Sequence, residues 1–274
     1  MRIAKLEQYG LLEVSGDDAR AFLHAQLTND VENLAPGTAR YAGWCSAKGR
    51  LLATFLVVPS AGGFLLQLSR DLVPVVAKRL SMFVLRSKVK ISDATAEWLQ
   101  YGLWKILPGG DLSVMQTEDG IEVGIDGKRT LLITKTPQSA DTAAEDWALD
   151  EIRVGRPLIL QSTQDQFVPQ MVNLELAGGV DFKKGCYPGQ EIVARAQYRG
   201  AVKRRMVRLR GAALQPGQEL YSDDAPGQAS GSVVNVAGDE SLAVLQVSAL
   251  EAKAPIRTQP QAAALEVLPL PYSR

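Results

Sequence analysis

Lys184-Gly185-Cys186-Tyr187-Pro188-Gly189-Gln190-Glu191 is the stretch on which the reading of this 274-residue chain turns. Tyr187-Pro188-Gly189-Gln190 has the signature of a type II turn: proline fixes φ at the second position and glycine accepts positive φ at the third. Glu191-Ile192-Val193-Ala194-Arg195 then has helical spacing, with Glu191 and Arg195 placed to pair across one turn. Cys186 therefore stands just before a turn that leads into a helix, and Gly185 leaves the backbone approachable. Lys183 and Lys184 beside it, and the helix N-terminus beyond it, both favour the thiolate. Such a thiolate suits attack on carbon, disulfide exchange or transient iron–sulfur ligation. A cluster takes about four ligands, so a partner would have to supply the others. A buried, inert cysteine is the alternative that spacing leaves open.

Outward from this motif the charge is uneven. Residues 183–210 hold nine bases (Lys183, Lys184, Arg195, Arg199, Lys203, Arg204, Arg205, Arg208 and Arg210) and one acid, Glu191, in a chain whose formal net charge is zero. A solvated face is one reading; a subsite for an anion such as a polyglutamate tail, a phosphate or RNA is the other.

The rest of the composition excludes more than it suggests. Neutrality rules out a global field for nucleic acid or membrane. With two cysteines, Cys45 and Cys186, disulfides do not frame the fold. Cys45 follows Trp44, lacks basic neighbours and reads as a buried structural residue. His24 is the only histidine. Zinc-type clusters lack ligands, no stable metal is expected, and a Ser-His-Asp hydrolase would have to use a residue that helical spacing makes structural. No Gly-rich phosphate loop occurs. No apolar run approaches the ~18 residues of a membrane span, and the first residues lack the apolar stretch of a signal peptide, so a cytoplasmic location is expected.

The pattern of elements is α+β. Gly10–Val14 reads as a strand, followed by a helix to about Leu27 for which Ser15 and Asp17 offer caps. Leu51–Val58 and Phe64–Leu68 read as strands joined through Pro59–Gly63. A helix is expected over Asp71–Leu80, with Pro74 tolerated in its first turn, and a strand over Lys88–Ser92. Short strands with Gly-rich turns fill Trp98–Lys135, and a helix covers Asp141–Val154 before Gly155-Arg156-Pro157 ends it. Lys203–Arg274 has short alternating strands between Pro-Gly and Gly-Asp turns, the texture of a small β-barrel.

Lys184-Gly185-Cys186-Tyr187-x-Gly189-Gln190-Glu191, with Arg195 and Gly200, resembles the signature of the YgfZ family of folate-binding proteins, relatives of the glycine cleavage T-protein (aminomethyltransferase). Gln26-Leu27-Thr28-Asn29-Asp30-Val31, Lys48-Gly49-Arg50, Arg86-Ser87-Lys88-Val89 and Val168-Pro169-Gln170 through Asn173-Leu174 to Gly179 resemble that family in the same order, over most of residues 1–235. The resemblance implies a T-protein-like three-domain ring around a central folate channel: residues 1–95, 96–202 and a C-terminal small β-barrel over 203–274. It implies tetrahydrofolate or a derivative as cofactor, and a role in supporting iron–sulfur client enzymes, including those that methylthiolate tRNA, so that the link to tRNA is indirect.

The same resemblance assigns site residues. Cys186 and Lys184 would be catalytic, with Lys184 polarising the thiol. Tyr9 and Trp147 match the family's aromatic folate contacts, where a ring against the ligand face gains ~0.5–1.5 kcal/mol beyond area burial. Tyr187, Gln190, Glu191 and Arg195 complete the expected binding set, the last three by fixing the loop. Departures from the T-protein point away from aminomethyl transfer. Leu51-Leu52-Ala53 stands where the enzyme's catalytic aspartate follows the glycines that Lys48-Gly49 resembles. Arg153 stands at the pterin-contacting glutamate, unless Glu151 substitutes from a shifted register. Cys186 stands at a further aspartate. The alternatives are a one-carbon transferase and a tRNA-binding adaptor that uses the basic segment.

Overall fold

The computed structural model describes residues 1–200 and 202–272; Ala201, Ser273 and Arg274, at the ends of the expected second and third domains, lie outside the described residues. In chain order the first elements are β1 (Ile3–Lys5), β2 (Tyr9–Ser15), α1 (Ala19–Gln26), β3 (Arg40–Cys45), β4 (Leu51–Ser60), β5 (Gly63–Ser69), α2 (Val73–Ser81) and β6 (Lys90–Asp93). Then come β7 (Leu99–Leu103), β8 (Val114–Thr117), β9 (Gly120–Asp126), β10 (Arg129–Thr134), α3 (Ala144–Arg153) and α4 (Gln190–Tyr198). The last are β11 (Arg204–Arg210), β12 (Glu219–Ser222), β13 (Ala229–Ala237), β14 (Glu240–Gln246), α5 (Val247–Glu251), β15 (Ile256–Arg257) and β16 (Glu266–Leu268).

They form three antiparallel sheets, ordered β3-β4-β5-β2-β6, β1-β7-β10-β9-β8 and β15-β12-β13-β14-β11-β16. The first strand of the chain belongs to the second sheet, since Ile3–Lys5 pairs with Tyr101–Leu103. The third sheet is a curled half-barrel in which Ile256 of one edge strand bridges to Leu265, the residue just before the other edge strand.

The apolar runs of the first sheet follow from burial on both faces. Successive side chains of a strand point to opposite sides. Ala53, Phe55 and Val57 of β4 face one core with α1, α2 and the 159–193 segment, while Leu56 and Val58 face a second core built with Ile121, Val123, Leu131 and Ile133 of the second sheet. β5 and β2 divide likewise, with Leu66 and Leu12 in the first core and Leu65 and Leu11 in the second. The third sheet has its own core around Leu209, Leu220 and Leu245, and lends Val234, Leu242 and Val244 to the first.

Two helix starts differ from the sequence reading. Neither Ser15 nor Asp17 caps α1: Ser15 ends β2, Asp17 faces Lys88 Nζ at 3.3 Å, and Asp18, the residue before the helix, accepts the Lys88 N–H at 2.7 Å and pins the helix start to the segment that leads into β6. α3 begins at Ala144 rather than Asp141, whose carboxylate accepts the Ile3 N–H at 2.7 Å and holds β1 in place.

α3 is also the joint to the third sheet. Glu145 Oε1 accepts the Gly238 N–H at 2.9 Å, and Arg153 reaches the buried Glu240 carboxylate at 3.2 Å. Arg208 and Arg210 face the same carboxylate at 3.6 and 3.2 Å. Burial alone would raise the Glu240 pKa; hydrogen bonds from Arg153 and Arg210 more than offset this and hold it below the usual range.

A carboxyl so depressed contributes stability that is present above its unfolded pKa and is lost as pH falls through the folded one. Glu240→Gln should cost about 2 kcal/mol at pH 7 in urea unfolding, and the gap to the wild type should narrow below pH 4. A gap independent of pH would show that the Glu240 charge does not clamp α3 to the third sheet.

Candidate functional site

The Cys186 loop is built as its sequence indicates. Gly189 has φ +77° and ψ 4°, and the Gln190 N–H donates to Tyr187 O at 3.1 Å, which closes a type II turn directly into α4. The turn rests on the β3–β4 hairpin. A β-carbon on Gly189 would lie against Ser46 O and only 2.6 Å from Gly49 Cα, and one on Gly49 (φ +68°) would lie 2.8 Å from Ile192 Cβ. The Lys48-Gly49-Arg50 stretch and the cysteine motif, about 140 residues apart in sequence, thus meet backbone to backbone because neither has a side chain at the contact.

Within the loop the side chains divide. Cys186 is exposed and free. Tyr187 is buried in the first core, 7% exposed, and burial raises its pKa. Gln190 Nε2 donates at 3.5 Å to Lys184 O and Gly185 O, bracing the loop from behind. Glu191 and Arg195 are both exposed on α4, and the pair expected between them is not formed: no ion pair joins them among the described residues.

Lys184 is buried, with its ammonium on the C-terminal end of α1. Nζ donates to His24 O and to Leu27 O at 2.8 Å, and lies 4.8 Å over the Tyr187 ring. Those carbonyls are the unpaired acceptors of a helix end, where a cation is favoured. Burial lowers its pKa to about 8, with Asp30, Asp181 and Cys186 acting in the other direction. The charge expected to act on the thiol is therefore committed first to α1. His24 is held in place from one side: Nδ1 accepts the Glu32 N–H at 3.2 Å and lies 3.0 Å from Asp30 Oδ1. Cys45, the last residue of β3, is buried, and burial pushes its thiol up to about 12.

A second feature lies where the three sheets meet. Two adjoining cavities, the larger of about 350 Å³, share Tyr9, Glu151, Arg156 and Leu158 in their walls. Tyr41, Gln67 and Trp147 complete one, and Gln8, Asn235 and Val236 the other. Tyr9 and Trp147 are thus brought together, 138 positions apart in sequence. Trp147 is a fixed wall: its ring lies against Gly102, stands edge-on to Trp104 at 5.8 Å, and carries the Arg129 guanidinium at 4.6 Å.

Glu151, not Arg153, faces the cavity. Its carboxylate pairs with Arg156 at 2.7 Å and Arg129 at 2.8 Å, and Arg129 pairs also with Asp126 at 2.6 Å. Arg156 in turn lies 4.4 Å over the Tyr41 ring. Two guanidiniums and two carboxylates balance, so the buried cluster is paired throughout. Burial opposes the Arg156 charge, but Glu151 outweighs it and raises the pKa. Arg129, Asp126 and Tyr41 went unnoticed in the sequence. A lone arginine opening the apolar strand Arg129-Thr130-Leu131-Leu132-Ile133 was the one signal that could have found this cluster. Cys186, Lys184, Tyr187, Gln190, Glu191 and Arg195 do not line these two cavities. The link between the sites is the 174–184 segment: Leu174 and Ala177 wall the cavity, and Thr28 Oγ1 donates to Gly179 O at 2.6 Å beside the Lys184 anchor.

Three sheets meeting on a central cavity place the chain among proteins of the glycine cleavage T-protein fold. The aminomethyltransferase T of Bartonella henselae superposes with a TM-score of 0.70 over 98% of this chain and 85% of that one, at 15% identity. The chain belongs to the YgfZ family. It is 30% identical to the tRNA-modifying protein YgfZ of Klebsiella pneumoniae over all of this chain and 93% of the relative. It is 31% identical to the protein of that name from Vibrio vulnificus, over 77% of this chain and 70% of the relative. An uncharacterized Haemophilus influenzae protein is 32% identical over 98% and 97%. No family profile matches the chain.

Gly189→Ala should destabilise the protein by about 2 kcal/mol or more, since the new methyl meets backbone and positive φ is strained for alanine; a urea midpoint equal to wild type would refute the docking of the turn. For Lys184, a folded pKa near 8 against an unfolded value near 10.5 means that the unfolded state binds more protons between those values. Wild-type stability should therefore rise relative to Lys184→Met from pH 8 to 10, by up to ~3 kcal/mol; a constant difference would place the ammonium in solvent.

Proposed function

We propose that this protein binds tetrahydrofolate or a derivative in the Tyr9–Trp147 cavity and supports iron–sulfur cluster assembly or repair in client enzymes, tRNA-methylthiolation enzymes among them, through the Cys186 thiol. The observation that carries this reading is the convergence of Tyr9, Tyr41, Trp147 and the Glu151–Arg156 pair on one cavity at the junction of the three sheets. That cavity is small, about 40 Å³, but it shares Tyr9, Glu151, Arg156 and Leu158 with the adjoining one of about 350 Å³, which is in the range of small-molecule sites, apolar walls with a few placed polar groups. A flat heteroaromatic ligand with amide and amine edges suits such walls. Gln8 Oε1, in the wall of the larger cavity, is buried without a hydrogen-bond partner among the described residues and would accept from such an edge.

Tyr9, Trp147 and Glu151 would hold the ring system. Bound folate would supply one-carbon or electron-carrying chemistry; the residues of this chain orient it and exclude water. Cys186 would act as nucleophile or transient ligand at the surface, where a client can reach it. Lys184 would position the loop through α1 and so set where the thiol is presented, with Tyr187 seating the loop in the core and Gln190, Glu191 and Arg195 fixing it from α4. Leu51, Leu52 and Ala53 are buried with no carboxylate among them, which weighs against aminomethyl transfer. No helix among the described residues is long and apolar enough to cross a membrane, and two free thiols suit a reducing compartment such as the cytoplasm.

Tetrahydrofolate should quench the tryptophan emission in a saturable way, and Tyr9→Ala should weaken binding about tenfold. An unchanged affinity would move the ligand elsewhere. In a deletion strain, Cys186→Ser should fail to restore the activity of an iron–sulfur methylthiotransferase, and full restoration by the serine variant would sink the role given to the thiol.

A further inference from the structure

The basic segment is not uniform once folded. Four of its nine bases are used internally: Lys184 on α1, Arg205 on Glu175, Arg208 on Glu240, and Arg210 on Glu240, Asp239 and Glu266. Lys183, Arg195, Arg199, Lys203 and Arg204 are exposed, and none has an ion-pair partner among the described residues.

Arg195 and Arg199 are on or at the end of α4, Lys183 precedes it, and Lys203 and Arg204 follow it. At ~3.6 residues per turn, Glu191, Ile192, Arg195, Tyr198 and Arg199 share the helix face opposite the buried Val193. Tyr198 is 68% exposed, and its ring makes a T-shaped contact with Phe182 at 5.9 Å, so one neighbour steadies it while most of the side chain stays in solvent. Phe182 brings Lys183 to the same place. Beyond the helix two grooves of about 430 and 490 Å³ share Val202, Val247 and Glu251. They run from Ala196 and Gln197 of α4 to Lys203 and Arg204 at the start of β11. Lys203 and Arg204 thus border a groove that reaches α4, and Arg195, Arg199 and the exposed Tyr198 ring stand on the neighbouring face of that helix, with Glu191 and Glu251 as acids beside them.

We infer that this face binds single-stranded RNA, with Arg195, Arg199, Lys203 and Arg204 along the phosphates and a base stacked on Tyr198. A basic track alone fits any polyanion. The exposed tyrosine ring is what favours RNA, because single strands are held by charge along the backbone together with aromatic platforms for the bases. The inference goes beyond the folate and cluster reading and does not depend on it: neither Cys186 nor the Tyr9–Trp147 cavity takes part.

The test is fluorescence anisotropy of the full chain with a labelled 12-nucleotide oligouridylate, titrated from low to physiological salt. Wild-type affinity should fall linearly on log–log axes, and Arg199→Glu/Arg204→Glu should flatten the slope by about 1.4, or 0.7 per phosphate contact in a single strand. Tyr198→Ala should weaken binding about tenfold while Tyr198→Phe keeps it, since stacking needs the ring and not the hydroxyl. Thermal melting of each variant separates loss of binding from loss of fold. No binding by the wild type at low salt would overturn the inference. So would an Arg199→Glu/Arg204→Glu variant that is folded and binds like wild type. Equal binding by Tyr198→Ala, with oligoaspartate displacing the RNA as well as unlabelled RNA does, would show a general polyanion surface and overturn it too.

Discussion

Gly49 and Gly189 touch without side chains between them, and much of the molecule is arranged by that contact. Both hold positive φ, so each supplies a turn that other residues adopt only under strain. The first closes the β3–β4 hairpin; the second turns the chain into α4. Once they meet, Tyr187 is seated in the core, Lys184 reaches the end of α1, and Cys186 has no place to go but outward. The exposed thiol is thus a consequence of what its neighbours bury.

The central cavity obeys a different constraint. Glu151, Arg156, Arg129 and Asp126 carry charge into the meeting place of three sheets, where unpaired charge would be costly. Matched pairing makes the cluster tolerable, and its polar edges then face a space walled by Tyr9, Tyr41 and Trp147. α3 presents both Trp147 and Glu151 to the cavity, one helical turn apart, while Arg153 on its other side reaches Glu240 in the third sheet. One helix therefore lines the cavity and fastens the half-barrel to it.

The sequence made the local parts legible. The Pro188-Gly189 turn, the β4–β5 hairpin and Pro74 at the start of α2 each follow from one or two residues of fixed conformational preference. Residues that act at a distance were less legible. Asp17 and Asp141 looked like helix-start groups because nothing local shows that Lys88 and Ile3 will claim their carboxylates. Lys184 looked like a neighbour of the thiol because it is one in sequence, yet its ammonium is drawn to carbonyls 157 and 160 positions away. The choice between Glu151 and Arg153 needed the helix phase, which the fold supplies and a motif does not. Tyr9 and Trp147 were legible only through family likeness, since each alone reads as a core aromatic.

The central claim is that Cys186 is the working group and that it acts at the surface, outside the cavity. Intact-protein mass spectrometry after incubation with reduced folates and an iron–sulfur donor tests it most directly. The account predicts an added mass that peptide mapping places on Cys186, leaves Cys45 unmodified, and is absent from Cys186→Ser. Adducts that map to Cys45, or the same added mass on the serine variant, would contradict it.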